Sequence, residues 1–179
     1  MSIIDRFIGL LAPYECLSCG AEGELLCQTC IQQLPMLPPQ CYRCLEVSSD
    51  GRTCSACLDA SELYSLRALT PYAGHAKDLV WRLKSGGARA AAAVMAKGLL
   101  PLLPRSSSQV IVPVPTASSR VRSRGYDQAG LLARELGRRS RLPCGDHLRR
   151  QGQTRQIGTS RRQRLNQLQT AFRLSGATR

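Results

Sequence analysis

The sequence predicts an α/β protein in two parts: a small N-terminal module held together by metal, and an incomplete parallel-sheet unit behind it. Three observations carry that prediction. Eight of the nine cysteines fall in four Cys-x-x-Cys pairs within the first third of the chain. A β-branched run ending in prolines, Gln109 to Pro115, is followed by a loop and an amphipathic helical pattern, which is half of a doubly wound unit. The formal charge of +13 is confined to the region from Pro104 onward, where sixteen Arg face three acids, while the first 103 residues sum to zero.

The segment Met1 to Leu11 carries Ile3, Ile4, Phe7, Ile8, Leu10 and Leu11 around Asp5 and Arg6. With charges inside it and no basic leader, it reads as a short amphipathic helix and not as an export signal. No uncharged apolar run is long enough to span a bilayer, so no membrane span and a cytoplasmic location are expected. In a reducing compartment the cysteines are not read as a disulfide framework.

The pairs are Cys16/Cys19, Cys27/Cys30, Cys41/Cys44 and Cys54/Cys57. A Cys-x-x-Cys turn presents two thiolates to one metal, and two such turns complete a tetrahedron around zinc. Pairing neighbours in sequence closes loops of only seven and nine residues, at the smallest cost in chain entropy. The expected ligand sets are therefore Cys16, Cys19, Cys27, Cys30 and Cys41, Cys44, Cys54, Cys57, for two structural Zn²⁺ ions. Iron bound by the same thiolates, or a redox Cys-x-x-Cys, are the alternatives. Pro35, Pro38 and Pro39 separate the halves as a linker, and Gly20 stands where the turn calls for a positive φ. Cys144 is read as a packed thiol.

Beyond the cysteines, Leu63 to Tyr72 has the content of a strand pair or a strand and turn. Leu79, Val80 and Leu83 recur at helical spacing up to the Ser85-Gly86-Gly87 break, and Ala88 to Leu103 is a second, Ala-rich helix. Gln109 to Pro115 is expected as a buried parallel strand, and Asp127 to Arg139 as a helix with Ala129, Leu132, Ala133 and Leu136 inward. Boundaries at residues 1–60 and 61–179 follow. The loop between strand and helix holds Arg120, Arg124, Gly125 and Gln128 just past Pro115, where open α/β sheets bind ligands and helix N-termini favour anions. It reads as a phosphate site, with a solvated basic loop as the plain alternative. The Arg excess implies an anionic partner, either a phosphate-bearing ligand or single-stranded DNA, and a zinc-ribbon nucleic-acid-binding module is the alternative function.

The four Cys pairs, Tyr72-Ala73-Gly74, Leu83 through Gly87, Val112-Pro113-Val114-Pro115 and Arg120 through Ala129 together resemble the ComF family of competence-associated proteins. In that family a double zinc ribbon precedes a type I phosphoribosyltransferase-like domain. The resemblance adds Lys84, and also Gln156 and Arg164 from the stretch beginning Gln156-Ile157-Gly158, to the ligand-binding candidates. It implies a phosphoribosyl-pyrophosphate ligand and partners in the DNA-uptake machinery. The family's Asp-Asp and Thr-Thr-Gly-Ala-Thr motif is expected just after Phe172, where Ser175-Gly176-Ala177-Thr178-Arg179 stands instead. A C-terminally truncated member is therefore expected, without its own transferase activity, and with Mg²⁺ bound only if the missing motif is supplied. As an enzyme it is transferase-like in ancestry alone.

Overall fold

The computed structural model describes residues 13–104, 109–151, 168 and 170–175. The expected N-terminal helix lies outside them.

The cysteine region is one motif used twice. In each half a Cys-x-x-Cys turn is closed by a short backbone bond, from Gly20 N to Cys16 O at 2.9 Å and from Leu45 N to Cys41 O at 2.9 Å. Single antiparallel bridges, Glu15 to Glu22 and Gln40 to Val47, clamp the turns at the same relative place. The second pair of each half opens a short helix, α1 (Gln28–Gln32) and α2 (Ser55–Leu58), with Cys27 and Cys54 as the extended residues in front. Gly20 takes φ 74°, as its position predicts, whereas the second turn places Leu45 there at φ 65°.

Leu63 to Tyr72 forms no strand pair of its own. It runs back along the second half-module, with a bridge from Arg52 to Ser65 and a bond from Leu66 N to Gly51 O at 3.0 Å. Gly51, at φ 66°, has no room for a side chain, because a Cβ would overlap the Leu66 carbonyl.

Three longer helices follow: α3 (Gly74–Lys84), α4 (Ala91–Leu99) and, past a short α5 (Ser118–Arg124), α6 (Gln128–Ser140). Helix α4 is shorter than its Ala-rich pattern suggests, since Pro101 lies in a 3-10 turn over Leu100–Leu102. Its small residues allow close approach on both sides: Ala91, Ala92 and Ala96 are buried, and Gly98 is so close to Leu69 that a Cβ would come within 2.7 Å of Cδ2. Helix α6 is capped by Asp127, whose carboxylate accepts from Ala129 N at 2.9 Å. Its inward face is Gly130, Ala133, Leu136 and Gly137.

The main core unites the first half-module with the helices. Leu25, Leu26 and Ile31 pack with Leu79 and Leu83 of α3, Val94 of α4, and Tyr126. Burying Leu25 and Leu26, each 1% exposed, contributes about 2 kcal/mol apiece. The core thus crosses position 60. No residue of the second half-module belongs to it.

The strand expected at Gln109 to Pro115 is reduced, among the described residues, to one parallel bridge between Ile111 and Cys144. Two bonds hold it, Ile111 N to Pro143 O at 2.8 Å and Gly145 N to Ile111 O at 3.1 Å. Burial of this segment is corrected as well: Val110 is 50% and Val114 59% exposed, because one neighbouring segment cannot cover both faces. Cys144, expected to be packed, is exposed. The regular sheet here is antiparallel and small, β1 (Leu148–Arg150) paired with β2 (Phe172–Leu174). Among the described residues no helix is long and apolar enough to cross a membrane.

Candidate metal centres and phosphate cleft

The two expected cysteine sets converge. In each, all four sulfurs lie within 4.8 Å of one another. Sulfurs on a tetrahedron with Zn–S bonds of about 2.3 Å stand about 3.8 Å apart. Cys19 and Cys27 Sγ are 3.8 Å apart, and Cys44 and Cys54 Sγ 3.7 Å. A disulfide, at about 2.05 Å, is far shorter, and all nine cysteines are free. The spacing fits zinc closed on four thiolates with no position left for a substrate, which makes both centres structural.

The thiol acidities show why the clusters want a cation. The Cys19 amide hydrogen-bonds Cys16 sulfur and holds that thiol down to about 6, against an ordinary 9.0. The Cys44 amide does the same for Cys41, also to about 6. Their neighbours move the opposite way. The Ser18 hydroxyl favours the Cys30 thiolate, yet burial and the three other sulfurs push Cys30 up to about 12. Hydrogen bonding with Cys54, then burial, pushes Cys57 up to about 12. Cys44 is raised too, by burial and the adjacent sulfurs against the pull of the Glu46 amide. Without metal, four crowded sulfurs share their protons, and a divalent ion at the centre removes the mutual repulsion.

The centres differ in setting. Cys16 and Cys30 belong to the main core, with Cys19 at the surface. In the second set only Cys41 is fully buried.

The residues expected to bind phosphate divide into separate places. The Tyr126 hydroxyl donates to Leu83 O at 2.5 Å, which sets the Lys84 end of α3 beside the turn of Gly125 and Gln128. Arg124 donates to Gln128 Oε1 at 2.7 Å, and Gly125 ends α5 at φ 77°. Arg89 stacks over Tyr126, 5.0 Å from its centroid, and donates to Gly125 O. Arg120 is exposed on α5. Gln156 and Arg164 lie outside the described residues.

Among the described residues of that set, Pro115 alone lines a polar cleft of about 490 Å³ beyond the Ile111 bridge. Among the described residues its cations are Arg134, Arg149 and Arg150, none of which any sequence motif marks. Gly130 lets the Arg134 guanidinium lie on the helix, since a Cβ there would come within 3.3 Å of Nη1. Arg150 stacks over Phe172 at 5.5 Å, and its Nε is buried with no hydrogen-bond partner among the described residues. Two acids among the described residues share the cleft, Asp127 and Asp146. Asp127 is already engaged: besides the α6 amides it accepts from Thr116 N at 3.1 Å and Thr116 Oγ1 at 2.8 Å. The amides expected to meet an anion at the α6 N-terminus are thus filled by the chain's own carboxylate.

Two four-thiolate centres on a repeated knuckle define a structural zinc-binding module. Residues 7–59 match the family model of the double zinc ribbon domain, and the N-terminal part of this chain is such a ribbon. No curated protein and no solved structure matches the chain.

Proposed function

We propose that this chain is a phosphate-binding protein of the ComF kind, with the double zinc ribbon stabilising a phosphoribosyltransferase-like unit that serves DNA uptake. The observation that supports the binding is the cleft past Pro115, with three guanidinium groups among the described residues and a buried Arg150 Nε that finds no partner among them. A buried donor left unmade costs about 1–3 kcal/mol, and a phosphate oxygen would satisfy it. The order of motifs along the chain supports the kinship. These 179 residues hold no adjacent Asp pair to grip ribose hydroxyls. On these residues alone the reading is therefore binding without phosphoribosyl transfer. Calorimetry with phosphoribosyl pyrophosphate and with inorganic pyrophosphate tests it. Arg150→Gln and Arg134→Gln should each weaken binding about tenfold. No heat with either ligand at millimolar concentration would sink the proposal, and pyrophosphate release on turnover would sink its non-catalytic part.

A second reading, a nucleic-acid-binding module, is favoured by one observation. The single Trp, Trp81, is 59% exposed on α3, with Arg82 and Lys84 just after it, both at the surface. A base stacked there would be worth about 1–3 kcal/mol. Retention of single-stranded DNA should fall linearly with salt on logarithmic axes, and Trp81→Ala should weaken it. Insensitivity to both rejects this reading.

A further inference from the structure

The second ribbon half carries a surface patch that mixes apolar side chains with carboxylates. Leu45 and Val47, the latter 83% exposed, flank Glu46 in one stretch. Leu58, Leu63 and Tyr64, the last 63% exposed, stand in another beside Asp59 and Glu62. Tyr42 Oη and Ser61 Oγ share a hydrogen bond at 2.6 Å and Arg43 donates to Ala60 O, which sets the two stretches side by side. Single exposed apolar residues are ordinary, but five gathered on so small a unit mark a contact surface. Glu46, Asp59 and Glu62 form no ion pair with a described residue. Residues 41–64 hold four acids and two Arg, and Zn²⁺ on four thiolates adds −2, so the loaded half carries a formal −4. The opposite character appears at the C-terminal end of α3. Trp81 is exposed there, with Lys77 four residues before it and Lys84 three after, on the same helix face, and Asp78 is the helix's one acid. The bonds from the Tyr126 hydroxyl to Leu83 O and from Arg89 to Gly125 O bring the end of α5 alongside, with exposed Arg120 and Arg122 on that helix.

We propose that two copies of this chain form a closed two-fold dimer in which the acidic, apolar patch of each second ribbon half sits on the Trp81 face of the other. The two surfaces match in charge and in apolar content: carboxylates around Val47, Leu63 and Tyr64 meet ammonium and guanidinium groups around Trp81. Complementary charge of this kind steers the encounter and fixes the register, while the apolar side chains leave water. A two-fold axis makes the same contact twice, so no matching surface is left over to extend an open chain of molecules. The patch depends on metal, because the second zinc holds the knuckle that presents Leu45, Glu46 and Val47. Dimerisation therefore couples to loading of the Cys41 set. Each Trp81 is covered in the dimer, so a second copy and single-stranded DNA compete for one face.

Sedimentation of the full, zinc-loaded chain at micromolar concentrations tests this. A dimer is expected at about 50 mM salt, where the screening length exceeds about 10 Å, and its dissociation constant should rise about tenfold at about 0.5 M. Glu46→Lys with Glu62→Lys on the patch, and Arg82→Glu with Arg122→Glu on the face, should each weaken association about tenfold or more while both zinc ions stay bound. Mixed in equal amounts, the two variants should dimerise again, because one contact then keeps its native charges and the other has both signs reversed. Damage to folding cannot produce that rescue. A chain that stays monomeric at low salt would overturn the proposal and leave the Trp81 face to nucleic acid. A dimer that neither variant weakens, or a mixture of variants that stays monomeric, would overturn it equally.

Discussion

Leu45 shows how one side chain can stand in the wrong place for its backbone. It occupies the position that Gly20 takes in the first knuckle, with φ 65° against 74°, and its side chain is 64% exposed. A left-handed conformation costs a residue with a Cβ about 1 kcal/mol, and an exposed leucine recovers little of it by burial. Leu45→Gly is therefore expected to stabilise the second ribbon by about 0.5–1 kcal/mol, read as a slower loss of its zinc to a chelator. Faster loss would mean that Leu45 contributes through a contact, such as the groove it shares with Met36 and Leu66. At the same scale, Cys30 and Cys57 near 12 and Cys16 and Cys41 near 6 set the pH behaviour. In the metal-free form the first two favour folding below pH 9 and lose that contribution as pH rises toward 12. The second two favour it above pH 9 and lose it as pH falls toward 6. Zinc added to the apoprotein at pH 7.5 should expel protons from Cys30, Cys44 and Cys57 but not from Cys16 or Cys41, which are already thiolates. The proton yield in weak buffer should rise as the titration is repeated down through pH 6, and a constant yield would contradict the assignment.

At the scale of elements, the two ribbon halves have one internal architecture and different surroundings. The first shares its core with α3 and α4, and its zinc ligands Cys16 and Cys30 lie inside that core. The second stands apart, with exposed Leu45, Val47 and Tyr64 around it. Chelation should accordingly proceed in two phases. The Cys41 set should empty first with little loss of helical circular dichroism, and the Cys16 set later, together with α3 and α4. A single phase would show that the halves unfold as one. Both ligand sets were legible in the sequence because the chemistry is local: four pairs at fixed spacing leave few ways to close a tetrahedron. The helices were legible for the same reason, through a periodicity that α3 and α6 keep. The cleft was not, because Arg134 on α6 and Arg149 and Arg150 on β1 come to one cleft only through the tertiary fold, which no periodicity encodes. The strand at Gln109 to Pro115 was overread. A β-branched run signals extended backbone, but burial needs neighbours, and Ile111 has one.

At the scale of the whole molecule, apolar packing and charge divide the chain differently. Charge divides it near residue 104, with the sixteen Arg beyond. The core joins residues 16–31 to residues 79–126 and leaves the second ribbon outside. A fragment spanning residues 61–179 would leave Leu79, Leu83 and Val94 without Leu25, Leu26 and Ile31. It is expected to lack cooperative unfolding and to bind ANS, whereas the zinc-loaded full chain should melt cooperatively. Cooperative melting of the fragment alone would show that the shared core is dispensable.

That shared core also imposes an order on biosynthesis. The first ribbon leaves the ribosome roughly 50 residues ahead of α3, the first helix to cover it, a gap of about 2.5–10 s at about 5–20 residues per second. During that interval the face that α3 and α4 will cover is bare, and the ion that fixes the knuckle is what can hold Leu25, Leu26 and Ile31 in place for them to find. Zinc supply at the moment of translation, and not only afterwards, then governs how much of the chain reaches its folded form.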